Sequence, residues 1–205
     1  MPRPKQSEEE RAAMRERILD AAREVLMEQG PQALSTRVIA ERLGVSHMVL
    51  YTYFENTDAM SEALRARLRE EREATRAEAL RQAEMGDVAA AMRESLRRYA
   101  SGANEHPAMY TFLWVQPIAP DATCREAPHR PFEGNIRYLT QLARIGMERG
   151  VFVGRDPTVA AGTAFGIVQA PLLFYYSGRL NDSQLRDRLS DEALDVAMRY
   201  LMGGP

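Results

Sequence analysis

The stretch from Ser35 to Thr57 leaves this chain few ways to fold. Ile39 and Leu43 stand four apart, the spacing that puts two side chains on one face of a helix, and Leu50 and Phe54 repeat it after a break. In the break lies Gly44, suited to the left-handed backbone of a helix end because it has no Cβ. Ser35 ahead of the first pair and Ser46 ahead of the second can each cap a helix by accepting from an orphan first-turn amide. Ala40 is small enough to let a second helix cross closely. The positions left outside include Thr36, Arg37, Ser46, His47, Met48, Val49, Tyr51 and Tyr53, with few of the Glu and Lys of an ordinary solvated face. Two short helices, a tight turn and such an outer face are the layout of a helix-turn-helix whose second helix enters a DNA major groove.

Around that centre the chain reads as helix. Ser7 and Glu10 have the spacing of a capping box, Ile18, Leu19, Ala22, Val25 and Leu26 form an inward face, and Gly30-Pro31 stops the run. Asn56 can cap a longer helix, with Asp58 in its first turn and Met60, Leu64 and Leu68 facing in, as far as Gly86-Asp87. The next helix shows Val88, Ala91, Met92, Ser95, Leu96 and Tyr99 on one face and is expected to close at Gly102. His106-Pro107 opens a short aromatic helix to Trp114, and residues 117–131 carry four prolines, hence a loop. A helix with Phe132, Ile136, Leu139 and Ala143 inward ends at Gly150. Asp156-Pro157 opens another, in which Gly162, Gly166 and Ala170 recur every four residues as a smooth ridge. Ser190 is expected to cap a last helix with the stripe Leu194, Ala197, Met198 and Leu201. The fold class is all-α, with a helix-turn-helix domain over 1–57 and a larger domain over 58–205, the boundary falling inside a continuous helix.

Composition narrows the function. The net charge is −2, and residues 1–55 hold eight Arg and Lys against nine Asp and Glu, which counts against a sequence-blind, charge-driven nucleic-acid binder but leaves room for a specific one. Arg3 and Lys5 stand in a terminal arm that could reach phosphates or a minor groove. With one cysteine, Cys124, no intramolecular disulfide can form, and a reducing cytoplasm fits. Its neighbour Arg125 could lower the thiol pKa, although an ordinary loop cysteine is the favoured reading. No signal peptide is evident. Residues 157–178 carry no charged side chain and match a membrane span in length, but Gly162, Gly166, Gln169 and Pro171 interrupt them, so a buried bundle helix is expected. The histidines His47, His106 and His129 show no metal-site spacing, and no phosphate loop or nucleophile elbow appears. No metal, cofactor or enzymatic activity is expected.

The run Ile39-Ala40, Gly44-Val45-Ser46, Leu50-Tyr51 and Tyr53-Phe54 resembles, in register, the DNA-binding domain of the TetR family of transcriptional regulators. The chain departs from that pattern at Ser35, which stands near the usual Thr, at Met48, where the family usually has Gly, Ala or Pro, and at Thr57, where a phosphate-binding Lys is usual. The resemblance covers residues 10–65 sharply and the rest only in architecture. It implies that Ser46, Tyr51 and Tyr53 touch phosphates, while Arg37, His47 and Val49 are the candidates for base edges. It further implies that the middle helices enclose an effector and that the last two pair into a dimer. Candidate interface residues are Gly162, Gly166, Ala170, Leu194, Met198 and Leu201.

The second half is rich in soft and aromatic groups that suit an apolar pocket. Candidate effector contacts are Met92, Leu96, Tyr99, Met109, Tyr110, Leu113, Trp114, Gln116, Phe132, Ile136, Phe165 and Gln169. No charged residue is committed to that wall, so a small, largely apolar effector is expected. The partners implied are a palindromic double-stranded operator, that effector and a second copy of the chain, without a membrane. The reading is a ligand-responsive regulator, a repressor by preference. Its rival is a protein–protein adaptor with a degenerate helix-turn-helix.

Overall fold

The computed structural model describes residues 7–116 and 131–204, without the side chains of Ala74, Pro131 and Phe132. The terminal arm with Arg3 and Lys5, the loop residues 117–130 with Cys124 and His129, and the Phe132 side chain therefore lie outside the described residues. Within them the chain is helical, and it divides into two compact units, Met1–Leu68 and Arg69–Pro205.

The first unit opens with α1, Glu8–Gln29. Its capping box is reciprocal: Glu10 N donates to Ser7 Oγ at 3.1 Å and Ser7 N to Glu10 Oε2 at 2.9 Å. Ile18, Ala22, Val25 and Leu26 are completely buried, and Gly30, at φ +84°, ends the helix. The helix α2 spans Thr36–Leu43, with Val38 N donating to the Ser35 hydroxyl. Gly44 turns the chain at φ +68°, and the Val45 amide closes back onto Ala40 O at 3.0 Å. The helix α3 is only His47–Leu50. The expected helix to Phe54 continues as a hydrogen-bonded turn, in which the Tyr53 and Phe54 amides both donate to Leu50 O at 2.9 Å. Ser46 occupies the cap position without a side-chain cap bond, contrary to expectation. Leu50 and Phe54 nevertheless point inward as their spacing requires, 0% and 3% exposed.

The long helix α4, Thr57–Met85, starts behind Asn56, whose Oδ1 accepts from Ala59 N. Met60, Leu64 and Leu68 are buried, and Arg67 ties α4 to α1 through Glu16 at 3.2 Å and Asp20 at 2.7 Å. Those contacts carry the first unit to Leu68 rather than to the boundary expected at 57, because three turns of α4 complete its core.

The second unit holds the rest of α4, then α5 (Val88–Glu105), α6 (Pro107–Tyr110), α7 (Pro131–Glu148), α8 (Pro157–Tyr176) and α9 (Ser183–Met202). Asp87, Asp156 and Asp182 cap α5, α8 and α9. Two boundaries differ from expectation. Helix α5 runs through Gly102, whose carbonyl accepts from His106 N, because a single glycine costs a helix only about 1 kcal/mol. Helix α9 begins at Asp182, so Ser190 sits inside it, buried, donating to Arg186 O at 2.9 Å. After α6 the chain widens into a π-helical turn, Thr111–Val115, closed by Gln116 N to Thr111 O. Arg149 donates to the carbonyls of Ala83 and Gly86 at 3.0 Å, satisfying orphan acceptors at the end of α4.

Helix α8 packs between α7 and α9. Ala160, Ala161, Ala164 and Ala197 are buried in that core, small enough to bring the helices close around Phe165, Leu142 and Met198. Helix α8 is long and apolar enough to cross a membrane, with mean hydropathy 1.4, but in the fold it is a bundle helix. Its Gly162–Gly166–Ala170 side is the least covered. Gly166 is exposed, and an added Cβ there would meet nothing within 4 Å.

Candidate DNA-reading surface and ligand cavity

In the first unit, α1 fixes the segment that follows α3. Arg11 donates to Thr52 O at 3.2 Å and Arg15 to Tyr53 O at 2.9 Å, with the Arg15 guanidinium 4.2 Å from the Phe54 ring centre. Each charge-assisted bond to a backbone carbonyl restrains the turn. Along α3, His47 and Tyr51 meet edge to face at 5.6 Å. Thr52 Oγ1 donates to Val49 O at 2.7 Å. The surface left outward carries Arg37, Ser46, His47, Met48 and Tyr51, with Val49, Tyr53 and Thr57 half-buried. Met48 is 62% and Tyr51 45% exposed. Arg42 is turned away, paired with Glu24 and Glu28. The hydrogen bond to Glu28 leads the causes that raise its pKa.

The second unit contains a cavity of about 370 Å³. Its apolar wall is built by Leu96 and Tyr99 of α5, Met109 and Tyr110 of α6, Leu113 and Trp114 of the π-helical turn, Leu139 of α7 and Phe165 of α8. Tyr99 is the hub of the aromatic contacts, with ring centres 4.7 Å from Phe165, 5.7 Å from Trp114 and 6.2 Å from Tyr110. The polar wall comes from α4, α5, α7 and the junction of α5 with α6: Arg72, Thr75, Arg76, Ser95, Arg98, His106, Asn135 and Tyr138. Ser95 gives its proton to Ala91 O at 2.7 Å, so in its 2.7 Å bond with Tyr138 the phenol is the donor.

Two features of this cavity are electrostatically incomplete. The hydroxyls of Tyr99 and Tyr110 are buried and make no well-formed hydrogen bond among the described residues; a looser contact between the two phenols shifts the ionisation of both. Burial pushes the Tyr110 phenol up to about 12. It pushes Tyr99 well above the ordinary value, with the Tyr110 phenol adding to the effect and the Arg72 charge opposing it. Arg76, 15% exposed, is held by Glu73 at 3.1 Å and by the Asn135 carbonyl oxygen. Burial dominates its shift and lowers its pKa, so Glu73 compensates its charge only in part.

Residues 18–64 match the family of bacterial regulatory proteins called the tetR family. Over that stretch, from α1 into α4, the chain carries a tetR-family domain. Solved structures of similar fold include a TetR-family transcriptional regulator from Pectobacterium atrosepticum, with 16% identity over 98% of this chain and 100% of that one, at a TM-score of 0.69. Others are FadR from Bacillus subtilis in complex with stearoyl-CoA (17% identity, 91% and 98% coverage, TM-score 0.71) and RolR with resorcinol (19%, 95% and 90%, 0.65). At these identities the likeness is one of fold. No curated protein matches the chain.

On this framework the sequence-predicted residues separate. Eight of the nine DNA candidates are outward or half-outward. Thr36 is not: at 6% exposure, in the first position of α2, it is a packing residue. Of the effector candidates, Leu96, Tyr99, Met109, Tyr110, Leu113, Trp114 and Phe165 line the cavity. Met92 and Ile136 are core residues instead, and Gln116 and Gln169 also lie off its wall. The wall is not free of charge as expected, because α4 brings in Arg72 and Arg76. Met198 and Leu201 are 2% and 1% exposed in the protomer's own core, and the half-buried Leu194 packs against it. Arg11 and Arg15 were missed altogether. Their partner carbonyls lie 41 and 38 residues downstream, and no local pattern announces such a bond.

Proposed function

We propose that this chain is a ligand-responsive repressor of the TetR family: a homodimer in the cytoplasm that binds a palindromic operator through α3 and leaves it when a small molecule enters the second-unit cavity. The observation that carries the reading is the cavity itself, with two buried phenols lacking a well-formed hydrogen bond among the described residues, in a chain whose first unit presents an outward, carbonyl-anchored α3. Its volume lies near the lower end of the roughly 300–1,000 Å³ typical of ligand sites. FadR and RolR, of the same fold, hold stearoyl-CoA and resorcinol, which supports occupancy by a small molecule. One helix, α4, supplies Met60, Leu64 and Leu68 to the first unit's core and Arg72 and Arg76 to the cavity wall. A ligand that prefers one setting of α4 must, by linkage, change DNA affinity to the same degree.

Two α3 segments read one operator only when held about 34 Å apart, one turn of B-DNA. The uncovered side of α8, with Val159, Gly166 and Phe174 exposed, is the surface on which two copies would pair. Fluorescence anisotropy with DNA flanking the coding sequence tests the reading. Saturable binding to a palindrome, reversed by a cavity ligand, is expected, whereas a chain that binds no such DNA would be the adaptor that the exposed Met48 side chain also suits.

A further inference from the structure

The cavity's two walls point to one class of ligand. Among its lining residues are three arginines and a histidine and no Asp or Glu. Arg98 shares Glu94 with Arg97, and Arg76 meets the half-exposed Glu73, so the carboxylates that pair with Arg98 and Arg76 sit outside the wall. Arg76 on α4 is 15% exposed, against 65% for Arg98. Tyr99 and Tyr110 line the same cavity; their hydroxyls are buried and stay protonated well past neutral pH, so they offer a hydrogen rather than a charge to a ligand that reaches them. A buried donor without an acceptor is costly. A neutral ketone or amide would satisfy the phenols and leave Arg76 under-compensated, and an amine would add repulsion from Arg72 and Arg76. An anionic oxygen accepts from the phenols and compensates the guanidinium at once. The rest of the wall, Leu96, Met109, Leu113, Trp114 and Phe165, requires an apolar body.

Resting on the ligand-responsive reading, we propose that the cavity binds a small amphipathic organic anion, an aryl or short acyl carboxylate, held through Arg76 with Tyr99 and Tyr110 as hydrogen-bond donors. A volume of about 370 Å³ admits one or two rings or a short chain and excludes a long acyl chain with a large head group.

Trp114, the single tryptophan of the chain, lies in the wall and reports occupancy. Full-length protein is titrated with 4-phenylbutanoate and with 4-phenylbutanamide, which match in shape and differ in charge, and Trp114 emission is followed. The acid should bind at least about tenfold tighter than the amide, the scale expected of a hydrogen bond to a charged group. Arg76→Gln should remove that preference while Arg76→Lys retains most of it. Asn135→Ala breaks the Arg76–Asn135 bond without removing the charge and should keep the preference, which separates charge from structural support. Thermal melts of each variant show whether the unit still folds, and the Lys and Ala variants keep the test decisive if the Gln variant does not. Equal affinity for acid and amide, a preference that survives Arg76→Gln, or no response of Trp114 to either probe overturns the proposal. Operator release is read separately by anisotropy. An acid that binds with the expected preference yet leaves DNA affinity unchanged sinks the regulatory reading and leaves the ligand class standing. Equal release by both probes does the reverse.

Discussion

The α2–α3 surface and the second-unit cavity differ in how far along the chain their parts come from and in how fully their polar groups are satisfied. The first is assembled within residues 35–57. Its turn is closed by backbone bonds and fastened by Arg11 and Arg15, so its outward side chains stand on a finished support. The second gathers residues from Arg72 to Phe165 on five helices and a π-helical turn, and it leaves two phenols without a well-formed hydrogen bond among the described residues and one guanidinium under-compensated. A surface that reads a large, rigid partner gains from being prebuilt. A site that takes a small molecule gains from interactions that only the ligand completes.

The largest expected effect separates the two regions outright. Leu50, the last residue of α3, is fully buried, so Leu50→Ala should cost about 2–5 kcal/mol and abolish DNA binding. The response of Trp114 to a cavity ligand should persist; its loss would show that the two units fold as one and would break the comparison. Next comes readout. Arg37→Ala should cost about 1–3 kcal/mol of binding, and the loss should depend on the base at one operator position. Tyr51→Phe should weaken all operators alike, and a uniform loss in both variants, measured by anisotropy on a set of single-base operators, would assign Arg37 to phosphate as well.

A third test concerns the side of α8 that neither region uses. An added Cβ at Gly166 meets nothing in its own protomer, so Gly166→Leu should leave protomer stability within about 1 kcal/mol or raise it slightly. A dimer packed on that ridge would fall apart, which sedimentation detects as a shift to monomer; an intact dimer would move the interface elsewhere.

The smallest effect is in pH. An acid whose folded pKa is raised contributes stability that is complete below its unfolded value and is lost as pH rises through the folded one. For Tyr110 that window runs from about 10 to about 12. The denaturant midpoint of the second unit should therefore fall across it, and Tyr110→Phe should flatten the fall. An unchanged slope would mean that the phenol is better solvated than its burial implies.

Legibility followed the same division. Helix periods and caps foretold α1, the α2–α3 turn and the start of α4, because each cap reaches only three or so residues along the chain. Where a local signal competed with packing, packing won. Gly102 did not stop α5, Ser190 did not begin α9, and Thr36 and Met198 turned inward. The aromatic part of the cavity, Tyr99, Tyr110, Trp114 and Phe165, was visible as composition. Its arginines were not, because on α4 they sit in a charge-dense stretch, Arg69 to Glu78, that reads as a solvated face.

By itself the sequence determined the all-α class, the helix-turn-helix and its outward residues, since these rest on interactions between neighbours in the chain. Only the tertiary structure decided that Arg11 and Arg15 brace the turn, that Leu68 closes the first unit, and that Arg72 and Arg76 face a cavity. Each of those depends on which turn of a long helix meets which partner, and a helical period specifies a face without specifying what comes to cover it.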